Sequence, residues 1–380
     1  SVASTGADED NAGGNQLLDK PALVQVFKNH IFFSGDDSFK TVVCHSAPNK
    51  WYDYTAASGG GQLFTGFNIV QIKPFRDSLY VFGQNSISKA NEDVTVGFLL
   101  EPVTANVGCI ARDSVVELGG DLSFLSPDGI RPVAGTSNIG DVELETISKN
   151  IQSVMTLLPT RFNLNELVSV VIRGKSQVRY FISDGLATAP DLAFGLLGAI
   201  RVADRDVAWE FSEIMGIRAS VATSEYVGNT EVVLHGDYDG KVYKQETGYK
   251  FNNEPIISLY KTPYFDMSEP TTRKTLRKIY VYMRAEGPVE VPMSVTYDWG
   301  SSIVARPSSY TLLNEGPPVV YGSGAEYGSG IVYGGAERPV VLQDVQGSGQ
   351  SVQFTFVSTT DAPSFTIQGF SIDYTLEGKR

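Results

Sequence analysis

Three histidines, two cysteines and a few carboxylate clusters are the residues of this 380-residue chain whose types could do chemistry. His30, His45 and His235 fall in separate apolar, strand-like stretches, a placement that fits structural or surface residues better than a base or a metal ligand. Cys44 and His45 are adjacent on such a stretch. Their side chains must point to opposite faces of a strand, so they cannot share one ion. Gly236-Asp237-Tyr238-Asp239-Gly240 resembles the start of a calcium loop, but the twelfth position counted from Asp237 is Gly248, where a bidentate glutamate is required. An Asx-stabilised hairpin turn is the better reading. Ser126-Pro127-Asp128-Gly129 is similar to the Asp-box turns of sialidases, yet its glycine falls one place early and the expected Thr-Trp is missing, so it too reads as a turn. Asp36 and Asp37 could be judged as a glycosidase pair only from their separation in space.

No Gly-x-Ser-x-Gly elbow, His-Glu-x-x-His helix or Walker loop occurs, and the glycine-rich tract near Gly322 neither keeps G-x-G-x-x-G spacing nor opens a helix. No catalytic, cofactor-binding or metal-binding residue is therefore assigned, no cofactor is expected, and the chain is not expected to be an enzyme. Trp51, Tyr52 and Tyr54 cluster beside Gly59 to Gly61 as a carbohydrate platform would, although a buried hairpin end accounts for them better.

A net charge of −13 works against tight nucleic-acid binding, which needs clustered Lys and Arg to neutralise phosphates. Arg273, Lys274, Arg277 and Lys278 form a local basic group whose spacing suits a solvated face or an interface. An acidic surface does suit a conduit that nucleic acid passes without sticking. Cys44 and Cys109 lie far apart in strand-like contexts and read as buried thiols, not as a disulfide. No apolar run approaches the ~20 residues that span a bilayer, so no membrane insertion is expected.

The elements that would position these residues are almost all strands. From Pro21 to about Tyr264, short β-rich runs alternate with Gly, Asp and Asn turns, and several form one shape, strand, tight turn and return strand. Such hairpins are expected around Lys28-Asn29, Gly83-Gln84-Asn85, Pro127-Asp128-Gly129 and Asp239-Gly240. Their spacing fits an irregular β-propeller. One helix interrupts them: Asp141 can cap it, Leu144, Ile147, Ile151, Val154 and Leu158 supply its apolar stripe, and Pro159 marks the stop. Ala187 to Ala203, apolar but without clean periodicity, reads as loop or strand. After Pro270 longer alternating strands appear over Leu276 to Ala285, Val289 to Tyr297, Val352 to Val357 and Phe365 to Tyr374, the pattern of a β-sandwich. The expected class is all-β, with residues 1–20 a flexible arm or linker, 21–265 a propeller-like domain and 266–380 a C-terminal β-sandwich. That last domain carries the Gly/Tyr/Ser-rich tract 321–335, in which Tyr321-Gly322-Ser323-Gly324 and Tyr327-Gly328-Ser329-Gly330 repeat.

Pro74-Phe75-Arg76-Asp77-Ser78-Leu79-Tyr80-Val81-Phe82, Val103 to Cys109, Gly119 to Arg131 and Ile139-Gly140-Asp141-Val142 occur here in that order, followed by Leu234 to Tyr243, the Tyr-Gly-Ser-Gly repeats and Gln368 to Tyr374. Together they resemble the virion structural proteins of tailed bacteriophages, most closely the tail nozzle, or tail tubular protein B, of short-tailed phages. The resemblance spans about residues 21 to 380 and implies a propeller with added β domains. It also implies a homo-hexameric ring in the virion tail, assembled in the host cytoplasm. Its partners would be other copies of itself, adaptor or portal-side proteins and tail fibres, with phage DNA passing through during ejection. The alternatives are a receptor-binding propeller that recognises a glycan or a protein, and a polysaccharide-degrading propeller enzyme.

Overall fold

The computed structural model describes residues 18, 20–93, 97–133, 146–182, 193–203, 206–251, 254–316 and 339–377. The arm up to residue 17 and the tract 321–335 lie outside them. The protein is all-β, built from small antiparallel sheets, and its chain divides into two compact units, Ser1–Glu246 and Thr247–Arg380.

Among the described residues the first unit holds five sheets, each made from consecutive strands. The first sheet joins β1 (Leu23–Phe27), β2 (His30–Ser34), β3 (Val42–His45) and β4 (Gly61–Phe64); the second joins β5 (Ile69–Phe75), β6 (Ser78–Gly83), β7 (Ile87–Asp93) and β8 (Gly97–Thr104). The third holds β9 (Val116–Leu118), β10 (Asp121–Ser126) and β11 (Gly129–Pro132). In the fourth are β12 (Leu167–Ile172), β13 (Gln177–Ile182), β14 (Phe194–Ala203) and β15 (Asp206–Met215), and in the fifth β16 (Val221–Val227), β17 (Thr230–Gly236) and β18 (Val242–Lys244). The ambiguous stretch ending at Ala203 is thus a strand where it is described. Tight turns set the registers: Phe27 pairs with His30 across Lys28 and Asn29, whose φ values of 45° and 64° place both in the left-handed region that a type I′ hairpin demands.

Successive sheets pack face to face through successive apolar clusters, because a twisted antiparallel sheet with apolar residues on both faces must cover both. Leu23, Phe27 and Phe32 of the first sheet meet Ile72, Leu79 and Val81 of the second. Phe82 and Ile87 of the second meet Leu122 and Phe124 of the third. Leu125 and Ile130 of the third meet Leu167, Tyr180 and Leu196 of the fourth, together with Met155 and Leu158 of the helix α1 (Gln152–Arg161). Ile172 and Phe181 of the fourth meet Val233 of the fifth.

The expected helix is present but shifted. It starts at Gln152 after a 3-10 turn at Lys149–Ile151, and Pro159 lies inside its last turn instead of stopping it. A proline there loses only one backbone bond near the frayed end, and the ladder still closes with Phe162 N donating to Leu158 O at 3.0 Å. Asp141 and Leu144 lie outside the described residues.

The second unit begins earlier than residue 266. After the short pair β19 (Lys250–Phe251) and β20 (Glu254–Pro255), β21 (Ser258–Lys261) is hydrogen-bonded to β27 (Val352–Ser358), so the chain from Thr247 belongs with the C-terminal strands. One sheet runs β21, β27, β23 (Val289–Tyr297) and β24 (Tyr310–Asn314); the other joins β22 (Lys274–Ala285) to β25 (Val340–Asp344), β26 (Ser348–Gly349) and β28 (Phe365–Leu376). Val289, Val291, Met293, Val295 and Tyr297 alternate inward along β23 and meet Ile279, Val281 and Met283 of β22 in one core, which makes this unit a β-sandwich.

The basic group at the start of β22 is only in part a solvated face. Arg277 is exposed, but Lys274 is fully buried. Its Nζ donates to the carbonyls of Glu269, of Thr272 at 3.0 Å and of Gln350 at 2.9 Å. A buried ammonium is tolerable only with its three donors used in this way.

Candidate functional site

The first strands of the second to fifth sheets converge. β5, β9, β12 and β16, with the 3-10 turn at Arg112–Ser114, line one cavity of about 550 Å³. Lys73, Arg112, Asp113, Glu117 and Arg173 give it mixed charge. Its walls are tied across sheets: Gln71 Nε2 donates to Arg112 O at 3.0 Å and Ser169 Oγ donates to Asp113 O. Glu231 of β17 accepts from the backbone N–H groups of Arg173 at 2.8 Å and Gly174 at 2.7 Å. Burial opposes the charge of Glu231, but these two donors and the Ser224 hydroxyl hold its carboxyl below the usual range. The arrangement ties neighbouring sheets together around the cavity.

The histidines are not as scattered as their sequence positions suggest. The register of β2 with β3 sets Phe32 opposite His45, and the hairpin turn places His30 on the same face. The His30 and His45 rings meet edge to face at 5.5 Å, both packed on Phe98 with centroids 5.0 Å away. Both Nδ1 atoms reach the Ser46 carbonyl, at 2.6 Å and 3.2 Å, so in the neutral rings each of these nitrogens carries the proton. Sequence reasoning missed this pairing, and its only signal was the equal parity of positions 30 and 32 on one strand. His235 instead stacks on Tyr243 at 5.2 Å and lies 3.1 Å from Gln245 Nε2.

Cys44 points away from His45, as adjacent strand residues must, into a cluster with Leu18 and Val42. Burial pushes its thiol up to about 12 and that of Cys109 up to about 11. Neither thiol is expected to react with a disulfide reagent at pH 8 in the native protein, whereas both should react once urea unfolds it. A native-state titration that released one equivalent within minutes would contradict that burial.

Gly236 to Gly240 is a hairpin connection: Asp237 N donates to Lys241 O at 2.9 Å, and Asp239 pairs with Arg218 at 3.7 Å. Asp128 sits in the β10–β11 turn, where its bond to the Arg131 guanidinium keeps its carboxyl below the usual range. Asp36 is buried and binds the backbone N–H groups of Lys20 at 2.7 Å and Ser38 at 2.8 Å, while Asp37 is fully exposed, so the two serve different surroundings. Trp51 and Tyr52 differ from the buried hairpin end expected of them. They are exposed, with their rings perpendicular at 5.5 Å, and only Tyr54 is buried. Among the described residues no group of three His, Cys, Asp or Glu comes together to hold a metal ion, and no helix is long and apolar enough to cross a membrane.

In the second unit, a cleft of about 470 Å³ opens between the edge strand β21, the end of β27 and the start of β28. Tyr249, Tyr260 and Phe365 line it together with Ser258, Ser358 and Thr366.

No protein-family model and no curated protein matches the chain. Among solved structures it is similar to a glycoside hydrolase family 43 arabinoxylan arabinofuranohydrolase from Bacillus subtilis, at 10% identity and a TM-score of 0.21, covering 93% of this chain and 94% of that one. It is also similar to a chain in an S. cerevisiae complex of Dbp5 with Nup159, Gle1, IP6 and ADP, at 10% identity and a TM-score of 0.23, covering 90% of each. At these scores neither likeness identifies a fold or a function.

Proposed function

We propose that this chain is a structural component of a bacteriophage tail, a nozzle or tube protein that assembles into a closed ring, six copies in the favoured form. Its first unit is read as an irregular β-propeller left open between its first and fifth sheets, with β5, β9, β12 and β16 as innermost strands and the mixed-charge cavity beside them. In the virion the ring would dock on adaptor or portal-side proteins, carry fibres and let the genome pass during ejection.

The observation that carries the reading is the pair of apolar faces at the two ends of the sheet series. On the first sheet, Val24, Val26 and Phe64 are exposed at 57%, 66% and 67% on the side away from its core. On the fifth, Val221 and Val242 are exposed at 59% and 73% beside half-buried Val232 and Leu234. Sheets packed in series leave both end faces wanting a neighbour, and packing the fifth sheet of one copy on the first sheet of the next continues the contact already used four times within the chain. Because the two faces differ, the interface is heterologous, and such interfaces generate rings when the rotation closes.

The test is mass photometry and electron microscopy of purified protein, beside Val242→Asp. Wild-type protein is expected as a ring with an axial channel. Val242→Asp should give folded monomers at micromolar concentration, with the far-UV circular dichroism of the wild type and a thermal midpoint lowered only by the lost association, since an exposed position can take a charge but an apolar interface cannot. A wild-type monomer, or rings indifferent to the substitution, would overturn the reading.

A further inference from the structure

The cleft of the β-sandwich unit has a composition unlike the rest of the molecule. Charged residues make up 19% of the chain, yet none lines this cleft among the described residues. Lys250 and Asp361, beside it in sequence, are paired to one another at 2.7 Å, so neither offers a net charge to a ligand. A phosphate or carboxylate entering the cleft would lose its water and find no cation, which excludes anionic ligands on energetic grounds. A purely apolar ligand would leave Ser258 and Ser358, which share the strand face of Tyr260 and Phe356, without water or partner.

What remains is a neutral ligand with both an apolar face and many hydroxyls. Tyr260 supplies a surface for such a face. Its ring is half exposed and is anchored from below by buried Phe356, near-parallel at 17° with centroids 6.0 Å apart. Tyr249, also partly exposed, stands along the same cleft. A volume of about 470 Å³ lies within the range of small-molecule sites, roughly 300 to 1,000 Å³. The C–H face of a pyranose ring stacks on an aromatic ring while its hydroxyls exchange hydrogen bonds with serine and threonine.

From this juxtaposition of two tyrosines and the paired Ser258 and Ser358 in an uncharged lining, we propose that the cleft binds a neutral saccharide. The site is independent of the ring assembly proposed above and belongs to the second unit, whereas Trp51 and Tyr52 belong to the first.

The experiment is calorimetric titration of the full-length chain with neutral oligosaccharides built from glucose, galactose, mannose or xylose, beside sialylated and uronic-acid oligosaccharides of equal length. Saturable binding of at least one neutral oligosaccharide is expected, with Tyr260→Ala weakening it at least tenfold and Trp51→Ala leaving it unchanged. Because Tyr260 is half exposed, its removal should leave the thermal midpoint within a few degrees, which separates lost binding from lost folding. Failure of every neutral oligosaccharide to bind, a preference for the anionic series, or a loss that follows Trp51→Ala and not Tyr260→Ala would overturn the proposal.

Discussion

Replacing Lys274 with methionine is expected to destabilise the β-sandwich unit by about 3 to 5 kcal/mol, although the substitution exchanges a charged side chain for an apolar one of similar length. The ammonium is buried and serves three carbonyls, those of Glu269, Thr272 and Gln350. Removing it leaves these oxygens without water or donor, and each unsatisfied buried acceptor costs about 1 to 3 kcal/mol, offset in part by the extra apolar burial. The carbonyls belong to segments far apart in sequence, the turn ahead of β22 and the loop ahead of β27, so the effect should spread to both. Hydrogen exchange of the full-length protein should show faster exchange along β22 and β27, and urea unfolding should show a lower midpoint for this unit. Lys278→Met is the control. Lys278 makes a half-exposed ion pair with Asp344 at 3.7 Å, a contact of the kind that contributes well under about 1 kcal/mol. Equal effects of the two substitutions would show that Lys274 is not the buried tie described above.

The second large effect concerns pH. Lowering the pH from 7.5 to 5 is expected to remove about 2 kcal/mol from the stability of the first unit through His45 alone. Desolvation among His30, Phe32 and Phe98 lowers the His45 pKa from 6.5 to about 4. The unfolded chain therefore takes up a proton more readily than the folded one. The stabilisation is complete above pH 6.5 and is lost as the pH falls from 6.5 towards 4, at about 1.4 kcal/mol per pH unit. His235, also lowered by burial, acts in the same direction. Carboxylates held below their usual range, such as Asp128 and Glu246, lose their contribution only at more acid pH, which leaves the window from 6.5 to 5 to His45 and His235. Urea midpoints followed across that window should fall in wild-type protein and fall clearly less in His45→Gln, which keeps only the contribution of His235, whatever its absolute stability. A wild-type midpoint that did not move between pH 7.5 and 5 would contradict the buried neutral imidazole.

These two residues also mark where the sequence stops being informative. The all-β class was legible because alternation and turn chemistry are local. Val289 to Tyr297 alternates apolar and polar with period two, and Lys28-Asn29, Pro127-Asp128 and Asp239-Gly240 are residues that tight turns require. Those rules place strands and hairpins without knowledge of any distant contact. The helix was legible in existence but not in extent, since its start depends on a 3-10 turn and its end tolerates Pro159.

By itself, then, the sequence determined the strand content, the positions of the hairpins and the alternating strands of the C-terminal sandwich. Only the tertiary structure decided that Lys274, one of four clustered basic residues, is buried while Arg277 is exposed, because the carbonyls that make its burial tolerable include one 76 residues away. It alone brought His30 and His45 onto one side chain cluster, drew Thr247 to Phe265 into the second unit through the pairing of β21 with β27, and assembled an uncharged cleft from three separate strands. Each of these rests on which sheet edge or face meets which. That choice is made by the summed burial of whole sheets, a quantity that no local window of residues contains.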